Sequence, residues 1–264
     1  MNKLFLLLAL FLMFSCNYKN NQNDQITSST SFVNNGRFKT KTINMSFNEI
    51  QVSTGIDAEV FKSGDEKVII SAPENIIDDI IVEKKGSGVH IYISANNRRT
   101  NIQGVKATIY VKNLRAIKAN SSGDILLRDK FLSERMDVSV SSSGSVKGDI
   151  EANDLTIEAS SSGDFHGRIW ANNLTTAASS SGDIVIEGNV KQAKLEASSS
   201  GDIKARNLKV QTATLDASSS GDIIVGVTHS ATASASSAGD VKIIKLGNVS
   251  VSKKTSSGGS VDVE

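Results

Sequence analysis

The sequence predicts an all-β fold, a solenoid of parallel coils about 19 residues long. Three observations predict it. One polar turn recurs, as NSSGDI at 120–125, SSSGSV at 141–146, SSSGDF at 160–165, SSSGDI at 179–184, 198–203 and 218–223, and SSAGDV at 236–241. Its glycines, from Gly123 to Gly239, stand 21, 19, 19, 19, 20 and 18 residues apart, with a degraded further copy, SSGGSV, at 256–261. Self-similarity at a fixed period of this size marks stacked units. Second, the residues around each turn alternate apolar and polar with period two, which is the strand period and not the helical one. Third, the composition is 39% hydrophobic and 5% aromatic, with 20 Gly and a single Pro among 264 residues. Such a chain has a core to bury and many turns to make.

Taken from the N-terminus, residues 1–15 read as a signal peptide. Lys3 supplies the positive charge, and Leu4 to Phe14 is an unbroken apolar run, too short to span a bilayer as a helix. Ser15-Cys16 follows, and LMFSC is similar to the lipobox of bacterial lipoproteins, although Phe14 is bulkier than that box usually carries. Cys16 is the only cysteine, so it reads as the lipidation site and a membrane anchor; the alternative is a leftover thiol in an ordinary signal peptide. No disulfide can form within one chain, so packing alone must hold the fold. Residues 16–36 then comprise the lipidated Cys and a flexible tether rich in Asn, Gln, Ser and Thr, without period. The net charge is +1 for the whole chain, which points away from nucleic acid.

Residues 37–119 read as an N-terminal β region that caps the solenoid. FNEIQVS, IDAEVFK, KVIISA, IIVEKKG, GVHIYIS and KATIYVK have strand character, and ENIIDDI (74–80), after Pro73, is a candidate helical turn. A cap is needed because the end strands of a solenoid otherwise pair with neighbours.

Residues 120–264 read as the solenoid repeats. Two after each Gly stand Ile125, Val146, Phe165, Ile184, Ile203, Ile223 and Val241; six before stand Ile117, Val138, Ile157, Thr176, Leu195, Leu215 and Ala233. These are the expected core columns. Each coil is then strand, corner, strand, with Gly supplying a backbone angle that other residues resist and Ser hydrogen-bonding its own backbone. ANDL (152–155), ANNL (171–174), GNV (188–190) and RNL (206–208) mark a second, looser corner. Equivalent residues stack about 4.8 Å apart, and no coil can bury its apolar face alone.

In FNEIQVSTGIDAEVFKSGDEKVIISAPENI, GVHIYI, VKATIYVKNLRAIKANSSGDI and the serial S-G-D turns, the chain resembles the autotransporter adhesin head domain, or head GIN domain, of Bacteroidetes lipoproteins. The resemblance covers about 46–250. It implies a right-handed parallel β-helix-like fold whose Ser-Gly turns link two sheets, and a role in adhesion. It carries no catalytic residues.

A search for chemistry finds little. His90, His166 and His229 fall in different columns, and a metal would need two or three ligands to converge. Polysaccharide lyases of β-helical fold combine acidic residues on Ca²⁺ with a basic residue on one face; here the Arg residues are scattered, and fold alone does not imply function. The charged constellation is a turn ladder, Asp124, Asp164, Asp183, Asp202, Asp222 and Asp240, one after each Gly and broken at Ser145. It reads as structural, each Asp capping its corner through backbone N–H groups. A calcium ladder is the weaker alternative, because the period is not nine. Thr156, Thr175, Thr214 and Thr232, interrupted by Lys194, form a regular outward row of the kind ice-binding solenoids use, although Thr also simply favours strands. The reading is therefore an exported, non-catalytic cell-envelope binding protein, lipid-anchored, expected in the outer membrane. No cofactor or metal is implied, and the ligand is an unidentified glycan or protein. The alternatives are a structural periplasmic or outer-membrane scaffold and, behind it, a polysaccharide-acting enzyme. NYKNNQND after Cys16 lacks the acidic cluster typical of surface-exported lipoproteins in that lineage, so the membrane face stays open.

Overall fold

The computed structural model describes residues 37–94 and 104–264; the signal peptide, Cys16 and the tether lie outside these. The N-terminal strands are β1 (Phe38–Asn44), β2 (Glu49–Val52), β3 (Asp57–Lys62), β4 (Lys67–Pro73), β5 (Ile80–Lys85), β6 (Gly88–Ile93) and β7 (Lys106–Val111). The candidate helical turn is a single 3-10 turn, Ile77–Asp79. The repeat strands are β8 (Ala116–Ala119), β9 (Asp124–Leu127), β10 (Phe131–Ser141), β11 (Ser145–Lys147), β12 (Ile150–Ser160), β13 (Asp164–Ala178), β14 (Asp183–Ala197), β15 (Asp202–Ala217), β16 (Asp222–Ala235), β17 (Asp240–Lys245), β18 (Ser250–Thr255) and β19 (Ser260–Val263). Successive coils pair in parallel, as in Phe165↔Ile184↔Ile203↔Ile223↔Val241 on one side of the corner and Ile157↔Thr176↔Leu195↔Leu215↔Ala233 on the other. Both expected core columns are buried throughout.

The stack does not begin at residue 120. β2 and β3 form a full coil that lies in register with β8 and β9, although more than sixty residues separate Val52 from Ala119. On their other side β2 and β3 pair in parallel with β6 and β7. That end is closed by antiparallel strands, β5 on β6 and β4 then β1 on β7. The strands left at the edge carry Lys39 and Lys41 on β1 and Lys84 and Lys85 on β5, which discourages pairing with another chain. At the opposite end Lys253 takes the register of buried Ala233, and its Nζ donates to the Val261 carbonyl (2.9 Å). Charge thus stands where an apolar residue would invite another coil.

The corners correct one expectation. The left-handed backbone belongs to the serines, not to the glycine that follows them. At residues 121, 142, 161, 180, 199 and 219, and at the serine next in each, φ is between 49° and 61°. Gly201 is required instead by crowding: a Cβ there would lie 2.5 Å from the backbone of both Ala178 and Ser179 in the preceding coil. At the first corner Ile56 fills the third position, after Thr54 and Gly55. Left-handed φ costs an L-residue roughly 1–2 kcal/mol. The compensation is a backbone ladder through the corner itself. Gly201 N–H donates to the Ser198 carbonyl (2.9 Å) and closes the turn; Ser200 N–H donates to the Ser219 carbonyl of the next coil (3.2 Å). The same bond recurs from Ser122 to Ser142, Ser143 to Ser161 and Ser162 to Ser180. Each corner must copy its neighbour's conformation to make it, which is why the turn is written so uniformly.

The core is filled by complementary sizes. Phe165 is buried, and a Cβ on Gly167 would meet its ring at 3.1 Å and the Gly148 carbonyl oxygen at 2.1 Å. Thr176 occupies a core position, and its hydroxyl is buried with no hydrogen-bond partner.

Candidate functional site

The predicted sites separate on the structure. Cys16 lies outside the described residues. The Asp ladder stacks in strict register, Asp164↔Asp183↔Asp202↔Asp222↔Asp240, and continues upstream through Ser145 and Asp124 to Asp57, which the repeat had not revealed. Its own corners are closed by backbone groups. Lys204 donates to Asp183 (3.2 Å) and lies 3.4 Å from Asp202, and Ser260 Oγ donates to Asp240 (2.7 Å). Burial, followed by the charges of Asp202 and Asp240, pushes the Asp222 carboxyl above its ordinary value; burial and then Asp57 do the same at Asp124. Among the described residues no three His, Cys, Asp or Glu side chains come together to hold a metal.

His90 belongs to the capping coil. Its Nε2 is 2.9 Å from Ser53 Oγ, its ring stacks on Tyr92, and burial followed by the charge of Lys85 lowers its pKa. His166 and His229 stand on other coils. The outward Thr row is regular, Thr156↔Thr175↔Lys194↔Thr214↔Thr232, with Lys194 paired to Glu196.

A concave feature lies elsewhere, at the second corner. There the inside–outside alternation slips by one residue. Asn172 and Asn173 are consecutive residues turned away from the core, so that Ile169 and Leu174 can both be buried. Asn153-Asp154, Lys191-Gln192 and Gln211-Thr212 repeat this. The bend leaves a groove of about 810 Å³ running across the coils from β10 to β16. One wall is the stacked column Leu132, Glu151, Trp170, Asn189 and Lys209. The other is Glu134, Asn153, Asn172, Lys191 and Gln211. Small residues, Ser133, Ala152 and Ala171, form the floor. GNV and RNL, expected at this corner, precede it: Gly188 and Leu208 flank a shift of register, and the turn falls at Lys191 and Gln211.

The groove is polarised. Asn172 donates to Asn153 (2.5 Å) and Asn173 to Asp154 (2.7 Å), so amides ladder from coil to coil. The Lys130 ammonium sits 4.5 Å from the Trp170 ring centroid and bonds Glu151 (2.6 Å). Glu134 and Glu151 stand toward one end; Lys191 and Lys209 stand toward the other. Trp170 is the only tryptophan in the chain. Sequence reasoning missed it because columns counted from Gly lose their parity at the second corner. The signal that was available is a lone Trp immediately before an Asn-rich turn. Such a surface offers an aromatic face, amide donors and acceptors, and charge, which is binding chemistry.

This stacked, groove-bearing solenoid defines a class, and the comparisons identify it. The family described as "Putative auto-transporter adhesin, head GIN domain" matches residues 46–246, and the chain belongs to that family. Its fold is similar to that of a protein described as a putative adhesin from Parabacteroides merdae (TM-score 0.78, 18% identity, covering 87% of this chain and 97% of that one). It is likewise similar to one so described from Parabacteroides distasonis (TM-score 0.78, 20% identity, 87% and 98%). A further Parabacteroides distasonis protein, described as a putative lipid binding protein, is also similar (TM-score 0.70, 24% identity, 87% and 98%). At these identities the likeness establishes the fold alone. No curated protein matches the chain.

Proposed function

We propose that this protein is a non-catalytic binding module of the cell envelope, an adhesin head anchored in the outer membrane through acylated Cys16. The second-corner groove takes the ligand. Family membership supports association with the envelope. The observation that carries the binding reading is the groove itself, with a half-buried Trp170 in one of its two walls of amides and charges. Among the described residues no helix is long and apolar enough to cross a membrane. Firm attachment needs more than one acyl chain, as a lipoprotein supplies.

The test is a glycan array probed with residues 36–264, which form one compact unit. Wild type is expected to bind a defined glycan set, and Ala171→Arg, which fills the groove floor, to lose it. Identical profiles for the two proteins would sink the groove as the binding site. Cys16→Ser in the full chain should move the protein from the membrane to the soluble fraction.

A further inference from the structure

We infer that the groove binds a glycan chain of mixed charge, laid along the solenoid axis, with neutral sugars over Trp170 and an acidic sugar over Lys191 and Lys209. The inference rests on the binding reading above and names its ligand class. Equivalent positions in the groove repeat about every 4.8 Å, the spacing of parallel strands, so a linear ligand meets a fresh set of side chains at each coil. The Trp170 face already attracts one positively polarised group, the Lys130 ammonium. The same quadrupole attracts the C–H face of a sugar ring. Asn153, Asn172 and Asn189 present amides, which both donate and accept as hydroxyls require. The charges then decide between neutral and acidic chains. Lys191 and Lys209 have no ion-pair partner among the described residues, whereas Glu151 is held by Lys130. Glu134 at the opposite end disfavours a carboxylate on every sugar. A chain in which acidic and neutral sugars alternate sets an acidic sugar over the lysines beside a neutral one over Trp170.

The probe is a hyaluronan hexasaccharide, compared with its carboxyl methyl ester, titrated against the detergent-solubilised full chain. Trp170 is the sole tryptophan, so its emission reports the groove directly. The acid should change that emission saturably and bind about tenfold tighter than the ester, with the advantage falling as salt rises. Lys191→Gln with Lys209→Gln should bring acid and ester to equal affinity. Trp170→Phe, which keeps an aromatic face and the fold, should weaken both forms alike, read by calorimetry. Equal binding of acid and ester by wild type overturns the acidic class and leaves the groove reading standing. Failure of both forms to bind, with neutral glycans captured on the array and lost in Ala171→Arg, overturns this inference alone. Array binding indifferent to Ala171→Arg overturns the groove reading and this inference with it.

Discussion

Gly201→Ala isolates what the repeated corner requires. The added methyl carbon would lie 2.5 Å from Ala178 C and 2.5 Å from Ser179 N. Ordinary contact begins near 3.4 Å, so the coils must separate by close to an ångström. The opposing atoms are backbone and cannot swing away. Ser198 N–H is bonded to Ala178 O (2.9 Å), and Asp202 N–H to Gly182 O (3.1 Å). Overpacking of this kind costs about 1–3 kcal/mol, and two weakened backbone bonds add about 1 kcal/mol each. The expected loss is about 3–5 kcal/mol, which for a domain of this size lowers Tm by roughly 10 °C. Ser200→Gly is the control. It relieves a left-handed φ worth about 1 kcal/mol and adds a similar unfolded-state entropy, so it should fall within about 0.5 kcal/mol of wild type. Urea and thermal melts of residues 36–264 decide the matter. A neutral Gly201→Ala, or a Ser200→Gly that is equally harmful, would show that close approach is not the reason for the glycine.

Three further outcomes follow from the same coils. Ile184→Asp buries an unpaired charge in mid-stack and should abolish soluble expression, whereas Val185→Asp, one residue on and half-exposed, should shift the urea midpoint only slightly. Thr176→Val removes a buried hydroxyl that has no partner and should stabilise by about 1 kcal/mol, measured by the urea midpoint; a loss would mean that the hydroxyl is satisfied. Asp222→Asn tests the ladder. Its carboxyl pKa is raised by burial and by Asp202 and Asp240, so the folded state binds the proton more tightly than the unfolded chain does. The ionised form therefore destabilises above the folded pKa, and the penalty disappears as pH falls below the ordinary value of 3.8. Asp222→Asn should raise Tm slightly at pH 7, with the gain vanishing at pH 3, and EDTA should leave Tm unchanged. A Tm restored by Ca²⁺ after EDTA would make the ladder a metal site.

The stack was legible in the sequence because its period and its alternation are local properties. Columns counted from Gly place Ile184 and Leu195 in the core without knowledge of any contact. What stayed hidden is non-local or breaks the period. The coil of β2 and β3 carries Thr54-Gly55-Ile56-Asp57 where the repeats carry Ser-Ser-Gly-Asp, and only the pairing of Asp57 with Asp124 reveals it as a corner. The groove was hidden by the slip of alternation at Asn172-Asn173, which takes Trp170 out of any single column. Thr176 stands in the expected core column, and nothing in the sequence shows that its hydroxyl lacks a partner.

The proposed adhesin role requires the solenoid to face outward, and labelling intact cells tests that requirement most directly. Thr214 is exposed on the outward face, away from the groove, and Cys16 is the only native cysteine. Thr214→Cys, expressed as the full chain, is treated with a membrane-impermeant maleimide before and after lysis. The account predicts equal labelling in both. Labelling only after lysis would place the solenoid in the periplasm and contradict it in favour of a scaffold.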